Sequence, residues 1–343
     1  MSNNEDLGER LLRWDTQREE CCAQIRRTPA ALKILLKTKN DPYFLERWIV
    51  HHHKIAGDGN VIVFDNMSDN DEVLRIYEKY KEVAVLIRFP GHFGSVHWVN
   101  QFPDLYDSLA HSTKFFTFLD TDEFLVLFDA GKCHRDHRLS EFIERNDAAD
   151  VFPGTWLPNT DWRDTRFTCG QEFDHLASGI AWGKPILRSK ARLTGLMNHN
   201  IQLDQTLFGE SFKANFFVLH MKNLSPEQRI SSNIHKLVAQ RFAQPTETAE
   251  AICSRRLDGI TDSNIIRYVE EIRRLLPFVG RTLERNSAMR IGCLEILNDG
   301  SIQFYGDSER MLIDQLIRDP VSSYAKAILQ QQHAMASKAA DRI

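Results

Sequence analysis

Phe118-Leu119-Asp120-Thr121-Asp122-Glu123-Phe124 places three acidic residues between two apolar runs, residues 115–119 and 124–128. The first run has the composition of a buried strand. Residues two apart on an extended chain point the same way, so Asp120 and Asp122 can share one ligand. An Asp-x-Asp triplet is common in solvated turns, but here the flanking runs would desolvate the acids and raise at least one pKa. We therefore predict a site for Mn²⁺ or Mg²⁺, which prefer oxygen ligands.

The sequence before this segment alternates between strand and helix patterns. Strands are predicted at residues 32–37, 60–65, 83–87 and 115–119, with helices from 40, from 68 to 80, and around 95–112. Such alternation predicts βαβ units and a mostly parallel sheet, whose strands carry functional groups at their carboxyl ends. The polar residues at these ends are Thr38 and Lys39, then Asp65 and Asn66, then Arg88, then Asp120 to Glu123.

The pattern divides the chain into three parts. Residues 1–30 are highly charged and predict a helical segment that ends near Pro29. Residues 31–224 contain the α/β pattern and, late in it, short strands and loops. Residues 225–343 are mainly helical, with a hairpin predicted near 293–305 around the turn Asn298-Asp299-Gly300.

Composition excludes several classes of protein. The chain has 343 residues and a formal net charge of −4, whereas nucleic-acid binding requires a clustered cationic face. The polar N-terminus lacks the apolar core of a signal peptide, and no apolar run is long enough to cross a bilayer. The six cysteines show no metal-ligand spacing. We expect a cytoplasmic protein that does not cross a membrane, although it could lie against the inner face of one.

Two histidine features could bind a metal ion. His220 ends the apolar strand 216–219, a position where a lone histidine is more often structural than a ligand. The triplet His51-His52-His53 lies in a predicted helix, where consecutive side chains point about 100° apart. These three histidines therefore do not suit one ion, and we expect one to face the core and the others to face solvent.

A cluster rich in tryptophan, arginine and aspartate follows at residues 156–166. Tryptophan faces stack on sugar rings, and Asp or Arg side chains bind hydroxyls or phosphate. A lid over the core is an equally good interpretation of the same residues.

In order and spacing, these motifs resemble those of the glycosyltransferase family 2-like group, and most closely its family 92 branch. The resemblance covers about residues 32–236 and lies in the combination, since no single motif is specific. The main matching pieces are residues 36–49, Val63-Phe64-Asp65-Asn66, residues 118–124, Gly183-Lys184-Pro185-Ile186-Leu187-Arg188 and Leu219-His220-Met221-Lys222. Two positions depart from the family pattern: Asp41 stands where a glutamate is usual, and Met221 where a tyrosine is usual.

The resemblance implies a GT-A fold, which is α/β with a mostly parallel central sheet flanked by helices. It also implies transfer of a sugar from a nucleotide donor, most often UDP-linked, with Mn²⁺ or Mg²⁺. Carried over by position, the metal ligands are Asp120, Asp122 and His220. The implied donor contacts are Thr38, Lys39, Asp65, Asn66, Asp120, Lys184, Arg188 and Lys222.

The resemblance further implies inversion at the sugar carbon, which needs a general base to deprotonate the acceptor hydroxyl. The acceptor would be a glycan or a lipid-linked hydroxyl. No motif identifies the base. The acidic candidates are Asp161, Asp164, Glu172, Asp174 and Glu123, of which we favour Asp164 or Asp161.

Two other functions are compatible with parts of this pattern. A nucleotidyltransferase could use the same sheet and metal, but residues 37–42 lack the glycines of a phosphate-binding loop. A non-catalytic sugar-binding or partner-binding module would not need the metal carboxylates, and both are present. The helical region from 225 could serve dimerisation, membrane-surface contact or docking, and its sequence does not choose among these.

Overall fold

The computed structural model describes residues 11–160, 165–168, 183–190, 213–222, 224–280 and 293–324. Seven strands form a central sheet in the spatial order β1-β4-β3-β2-β5-β11-β8. In chain order these are β1 (Leu12–Arg13), β2 (Ala30–Thr38), β3 (Val61–Asp65), β4 (Ala84–Arg88), β5 (Thr113–Leu119), β8 (Val151–Phe152) and β11 (Ile186–Arg188).

The first five of these strands are parallel. Strand β11 pairs antiparallel with β5, and β8 pairs antiparallel with β11. The register aligns Leu36 with Leu119, and Thr38 with Asp65. The carboxyl ends of β2, β3 and β5 therefore meet at one edge, as the alternating pattern predicted.

Helices connect these strands. They are α1 (Arg18–Arg26), α2 (Pro42–Ala56), α3 (Asp71–Tyr80), α4 (Pro103–Ser112) and α5 (Arg138–Arg145). The helix predicted around residues 95–112 is wrong in its first half. A 3₁₀ turn at Ser95–His97 comes first, and α4 begins only at Pro103, a residue that favours the first turn of a helix.

A smaller sheet continues from the central one. Its strands lie in the order β7-β6-β12-β9, with bounds β6 (Glu123–Asp129), β7 (Lys132–His134), β9 (Thr155–Pro158) and β12 (Phe216–His220). Strand β12 is antiparallel to β6 and parallel to β9, and its register places His220 opposite Glu123. The acidic turn therefore connects two sheets.

The C-terminal part contributes helices and a hairpin. The helices are α6 (Pro226–Ala239), α7 (Ala249–Cys253), α8 (Ser263–Leu275) and α9 (Asp307–Arg318), and the hairpin strands are β13 (Cys293–Ile296) and β14 (Ile302–Phe304). Gly300 has a φ of 81°, as the predicted Asn-Asp-Gly turn requires. Together with β10 (Arg166–Thr168), β13 and β14 form a third sheet.

The buried apolar side chains of the described residues form two clusters. Helices α6, α7 and α8 enclose their own cluster, centred on Leu237, Ile252, Val269 and Ile272. Leu294 of the hairpin and Leu316 of α9 instead belong to the main cluster, around the two larger sheets. The domain boundary between residues 224 and 225 stays a prediction. The mixed α/β fold class, with a mostly parallel central sheet flanked by helices, is confirmed.

Candidate functional site

The turn Asp120-Thr121-Asp122 joins the end of β5 to the start of β6. The Glu123 amide donates to Asp120 O at 3.0 Å and closes the turn. The Thr121 hydroxyl donates to Asp41 Oδ2 at 2.6 Å, which fixes the turn against the beginning of α2. Because the turn is held on both sides, Asp120 and Asp122 leave it in defined directions.

Asp120 is paired with a buried lysine. Lys184 Nζ lies 2.9 Å from Asp120 Oδ2 and 3.6 Å from Glu123 Oε2. Burial alone would raise the pKa of Asp120, but Lys184, Lys37 and His97 outweigh it and hold that pKa below its usual range. Asp120 is therefore an anion, and 45% of its side-chain surface remains in contact with solvent.

Two glycines deliver Lys184 to this position. The Lys184 amide donates to Gly154 O at 2.9 Å, so the segment 183–185 runs directly against residue 154. A Cβ added at Gly183 would lie 1.4 Å from Gly154 O, and one added at Gly154 would lie 2.3 Å from Lys184 O. Only glycine fits at either position, because any side chain would push Lys184 away from the turn.

Asp122 faces His220 of the smaller sheet. His220 Nε2 lies 3.5 Å from Asp122 Oδ2, and the Met221 amide donates to Asp122 O at 2.8 Å. Burial would raise the pKa of Asp122 and lower that of His220. Their mutual attraction reverses both shifts, so the aspartate pKa falls and the histidine pKa rises.

The donor atoms of Asp122 and His220 suit a divalent ion. Two ligands at right angles, with bonds of about 2.1 Å, lie about 3 Å apart, close to the observed Oδ2 to Nε2 separation of 3.5 Å. His220 Nδ1 is buried and has no hydrogen-bond partner among the described residues, whereas Nε2 faces Asp122. An ion ligated by these two side chains would take its remaining ligands from substrate phosphate and water, as Mg²⁺ commonly does.

The predicted three-residue metal site is only partly assembled. Within the ranges that the structure describes, no group of three His, Cys, Asp or Glu side chains has metal-binding geometry. Asp120 Oδ2 is bound to Lys184, whereas Asp122 and His220 face each other. The structure therefore brings two of the three predicted ligands together, Asp122 and His220. The third, Asp120, forms an ion pair with Lys184 instead.

Glu123 is fully buried behind the turn. Its Oε2 accepts the Asp120 amide at 2.8 Å, and its Oε1 accepts Trp156 Nε1 at 2.7 Å. Burial raises the pKa of Glu123 to about 7. Both oxygens are occupied and none of the side chain is exposed, so this geometry does not support the predicted role of Glu123 as a general base. It holds the turn instead.

The predicted donor residues at the ends of β2 and β3 lie near the turn. Thr38 is buried, and its Oγ1 has no hydrogen-bond partner within the described ranges, while Lys39 is half-buried. Asp65 is buried and accepts from Ser68, from Tyr77 at 3.0 Å and from Arg88 at 3.2 Å. Asn66 Nδ2 donates to Phe89 O and Gly91 O. Asp65 and Asn66 thus shape the loops around the crevice, and their predicted contact with a donor stays a prediction.

The two remaining basic residues differ in position. Lys222 is half-buried two residues after His220, beside the crevice. Arg188 pairs in register with Phe115, donates to Ala149 O and lies 3.2 Å from Asp150. Phe115 is five residues before Asp120 on a strand, which puts Arg188 roughly 16 Å from the turn. The predicted contact of Arg188 with the diphosphate therefore has no support from this geometry and stays a prediction.

Four predicted acids, Asp161, Asp164, Glu172 and Asp174, lie outside the described residues. Trp156, from the same cluster, is described: its indole donates to Glu123, and its ring packs 5.1 Å from that of His220. This tryptophan therefore holds both Glu123 and His220 in position.

The sequence reasoning missed three contributors. Lys37, on β2, lies in electrostatic range of Asp120, and its ammonium sits 4.1 Å above the Phe93 ring. Gly154 makes room for Lys184. Lys236, on α6, lies in electrostatic range of both Asp41 and Asp122. Of these three, only Lys37 could have been found from the sequence, because it directly precedes Thr38 at the predicted end of a strand.

The three histidines of residues 51–53 make three different sets of contacts. His51 Nε2 donates to Leu125 O at 2.7 Å, while the Leu125 amide donates to His52 Nε2 at 3.2 Å. His53 pairs with Asp58 at 2.6 Å. The expectation that two of them face solvent is wrong for His51, which bonds to the backbone of β6.

Comparison with known proteins gives weak likenesses only. No protein-family model matches the chain, and no curated protein matches its sequence. TarS of S. aureus (residues 1–349) is similar with 13% identity and a TM-score of 0.27, covering 90% of this chain and 91% of that one. A mannosyltransferase from Pyrobaculum calidifontis, solved with GDP-Man and Mn²⁺, has 13% identity and a TM-score of 0.34, covering 92% and 88%. A cytidylyltransferase from Leptospira borgpetersenii has 9% identity and a TM-score of 0.31, covering 75% and 100%.

Among the described helices, none is long and apolar enough to cross a membrane.

Proposed function

We propose that this chain is a metal-dependent glycosyltransferase that moves a sugar from a nucleotide-sugar donor, UDP-linked, to a hydroxyl acceptor with inversion. The observation that carries the proposal is the Asp122–His220 pair, 3.5 Å apart at the turn between the two sheets. Lys37 and Lys236 lie in electrostatic range of the acidic turn, which suits an anionic donor. The motif resemblance of residues 32–236 supports the same function.

Asp122 Oδ2 and His220 Nε2 would hold the metal. The ion, when bound, would offset negative charge that builds on the departing nucleoside diphosphate. The protein's part is to keep both ligands in place: Glu123 and Asp41 fix the turn, and Trp156 packs against the imidazole. A site whose ligands are already positioned loses little free energy when charge develops.

Lysines supply the remaining positive charge. Lys184 is held beside Asp120, and Lys37 and Lys236 approach the same acidic turn from β2 and α6. A departing diphosphate gains charge on its oxygens, and ammonium donors positioned in advance stabilise that charge. In this proposal α6 gives the C-terminal region a role as one wall of the donor site.

The donor's nucleoside would lie over the ends of β2 and β3. Thr38 Oγ1 offers an unused hydroxyl there, and Lys39 follows it directly. Asp120, half exposed, faces the same crevice and would accept from the ribose hydroxyls. Asp65 and Asn66 would act by holding the loops that border the pocket.

The acceptor side stays a set of predictions. We propose a glycan or lipid-linked hydroxyl as acceptor and Asp164 or Asp161 as the general base. Dimerisation or membrane-surface contact through the C-terminal region also stays a prediction.

The proposal is tested by measuring nucleoside diphosphate release over a panel of nucleotide sugars, with Mn²⁺, with Mg²⁺ and with chelator. We expect slow, metal-dependent release from one donor. Asp122→Ala should abolish it, because half of the protein's contribution to the metal site is gone. The matched control is Asp258→Ala, which removes an exposed carboxylate in a turn and should leave release unchanged.

Full turnover in chelator, or in Asp122→Ala, would overturn the metal assignment. Release of pyrophosphate from a nucleoside triphosphate, with no release from any nucleotide sugar, would indicate a nucleotidyltransferase instead.

A further inference from the structure

A pocket of about 300 Å³ lies outside the candidate site. Helix α2 forms one wall with Arg47 and Lys54, and Arg135, just after β7, forms another. Its floor is apolar and includes Phe124, Phe167, Leu219 and Met221. This volume is at the lower end of the range for small-molecule sites in proteins.

The pocket is on the back of the sheet that carries the candidate site. Phe124 pairs in register with Leu219, and the next pair is Glu123 with His220. Successive residues of a strand point to opposite faces, so the pocket floor and the metal-side residues are separated by one sheet. A ligand in this pocket therefore cannot be the donor bound at Asp122.

Three cations converge on this pocket. Arg47, Lys54 and Arg135 all act electrostatically on His51, which also lines it. Within the described ranges, neither Lys54 nor Arg135 makes an ion pair, and no acidic residue lines the pocket. The guanidinium of Arg47 lies 5.7 Å from the centre of the Phe124 ring, directly above the floor. Lys54 and Arg135 repel each other, and a bound anion removes that cost.

We propose that this pocket binds a small organic phosphate, with its phosphates on Arg47, Lys54 and Arg135 and its apolar part on the floor. Guanidinium groups bind phosphate oxygens through two parallel hydrogen bonds, which suits a ligand with more than one phosphate oxygen exposed. Burial of carbon on Phe124, Phe167, Leu219 and Met221 adds affinity that inorganic phosphate lacks.

Two residues of the pocket floor adjoin the candidate site along the chain. Phe124 directly follows Glu123, which holds the acidic turn, and Met221 directly follows His220. The Met221 amide also donates to Asp122 O at 2.8 Å. Met221 of the pocket floor therefore contacts both residues of the Asp122–His220 pair through its backbone.

The test uses full-length Asp122→Ala protein with chelator, so that the donor site is disabled whatever its function. Isothermal titration calorimetry with inorganic pyrophosphate and with isopentenyl diphosphate measures binding. We expect saturable binding of both, tighter for isopentenyl diphosphate. Adding Arg47→Gln and Arg135→Gln should weaken both at least about tenfold, because charged hydrogen bonds are lost.

The matched control adds Arg75→Gln and Arg310→Gln, which remove two exposed arginines elsewhere and change the net charge equally. Retained affinity in this control supports the assignment. Equal affinity in the Arg47, Arg135 variant, or no saturable binding in the parent, overturns it. Equal affinity for the two ligands overturns the apolar half of the proposal.

Discussion

Lys184 and Asp120 form an ion pair of 2.9 Å between a buried and an exposed side chain. Only 1% of the lysine side chain is exposed, whereas 45% of the aspartate side chain is. The lysine is therefore held in the interior, while the aspartate still meets solvent. A second carboxylate, Glu123, lies 3.6 Å from the same ammonium and is fully buried. One buried cation thus fixes two of the three acids in the motif.

Lys184→Met should destabilise the protein and impair the proposed activity. Without the ammonium, Glu123 is buried without a counter-charge, so we expect a loss on the order of 3 kcal/mol in the free energy of unfolding. Loss of the group that holds Asp120 in position should also lower kcat about 100-fold. Urea unfolding and donor turnover measure the two effects. Lys190→Met, at an exposed lysine nearby, is the control and should change neither. A stable and fully active Lys184→Met protein would contradict this role.

Gly183→Ala should displace Lys184 without altering any charged group. The added methyl would lie 1.4 Å from Gly154 O, so the two backbone segments must separate. We expect a loss of more than about 2 kcal/mol in unfolding free energy and a drop in turnover close to that of Lys184→Met. Gly94→Ala, where φ is −82° and the nearest contact is the flexible His92 side chain, is the control. If Gly183→Ala matched wild type in both measurements, the close backbone approach would be refuted.

Local patterns predicted the strands and helices between residues 30 and 129 well, because apolar residues repeat at different periods in strands and in helices. Strand β1 was missed, since it lies in the segment predicted as helical. The strand register then places Thr38, Asp65 and Asp120 at one edge without further information. The helix predicted at residues 95–112 begins too early, because the apolar pattern is continuous across Pro103, where the helix in the structure starts.

Long-range contacts were not predictable in the same way. Nothing local in the sequence shows that Gly154 and Gly183 touch, since that contact depends on how β11 returns beside β5. The same return carries Arg188 away from the turn, although it lies only four residues after Lys184. Asp122 and His220 were paired from motif resemblance, whereas the tie between Asp120 and Lys184 came from the structure.

His51 and His52 should make the protein less stable in mild acid. Burial lowers the pKa of His51 to about 4, and it lowers the pKa of His52 as well, since protonated Nε2 of His52 could not accept the Leu125 amide. The unfolded chain, with histidine pKa near 6.5, then binds more protons than the folded protein as pH falls from about 6.5 to about 4. Stability is therefore full above that window and is lost through it, by up to about 1.4 kcal/mol per pH unit for each histidine.

Urea unfolding at several pH values measures this loss. The variant with His51→Gln and His52→Gln should lose less unfolding free energy than wild type over the same interval. His53→Gln is the control, because it removes a histidine of the same helix that pairs with Asp58 and not with Leu125. Identical slopes in all three proteins would show that the contacts with Leu125 do not control acid stability.

Lys236→Gln should test whether α6 forms part of the donor site. Lys236 lies in electrostatic range of Asp41 and Asp122, and Gln228, at the start of the same helix, donates to Tyr43 at 2.6 Å and so ties α6 to α2. Loss of one charged contact to the diphosphate should raise the donor KM about tenfold. Arg267→Gln is the matched control, because Arg267 and Lys236 both lie over the Tyr268 ring, at 5.1 and 5.5 Å. Since both variants lose a cation at that ring, an equal rise in KM would mean that general charge, and not the position of Lys236, attracts the donor.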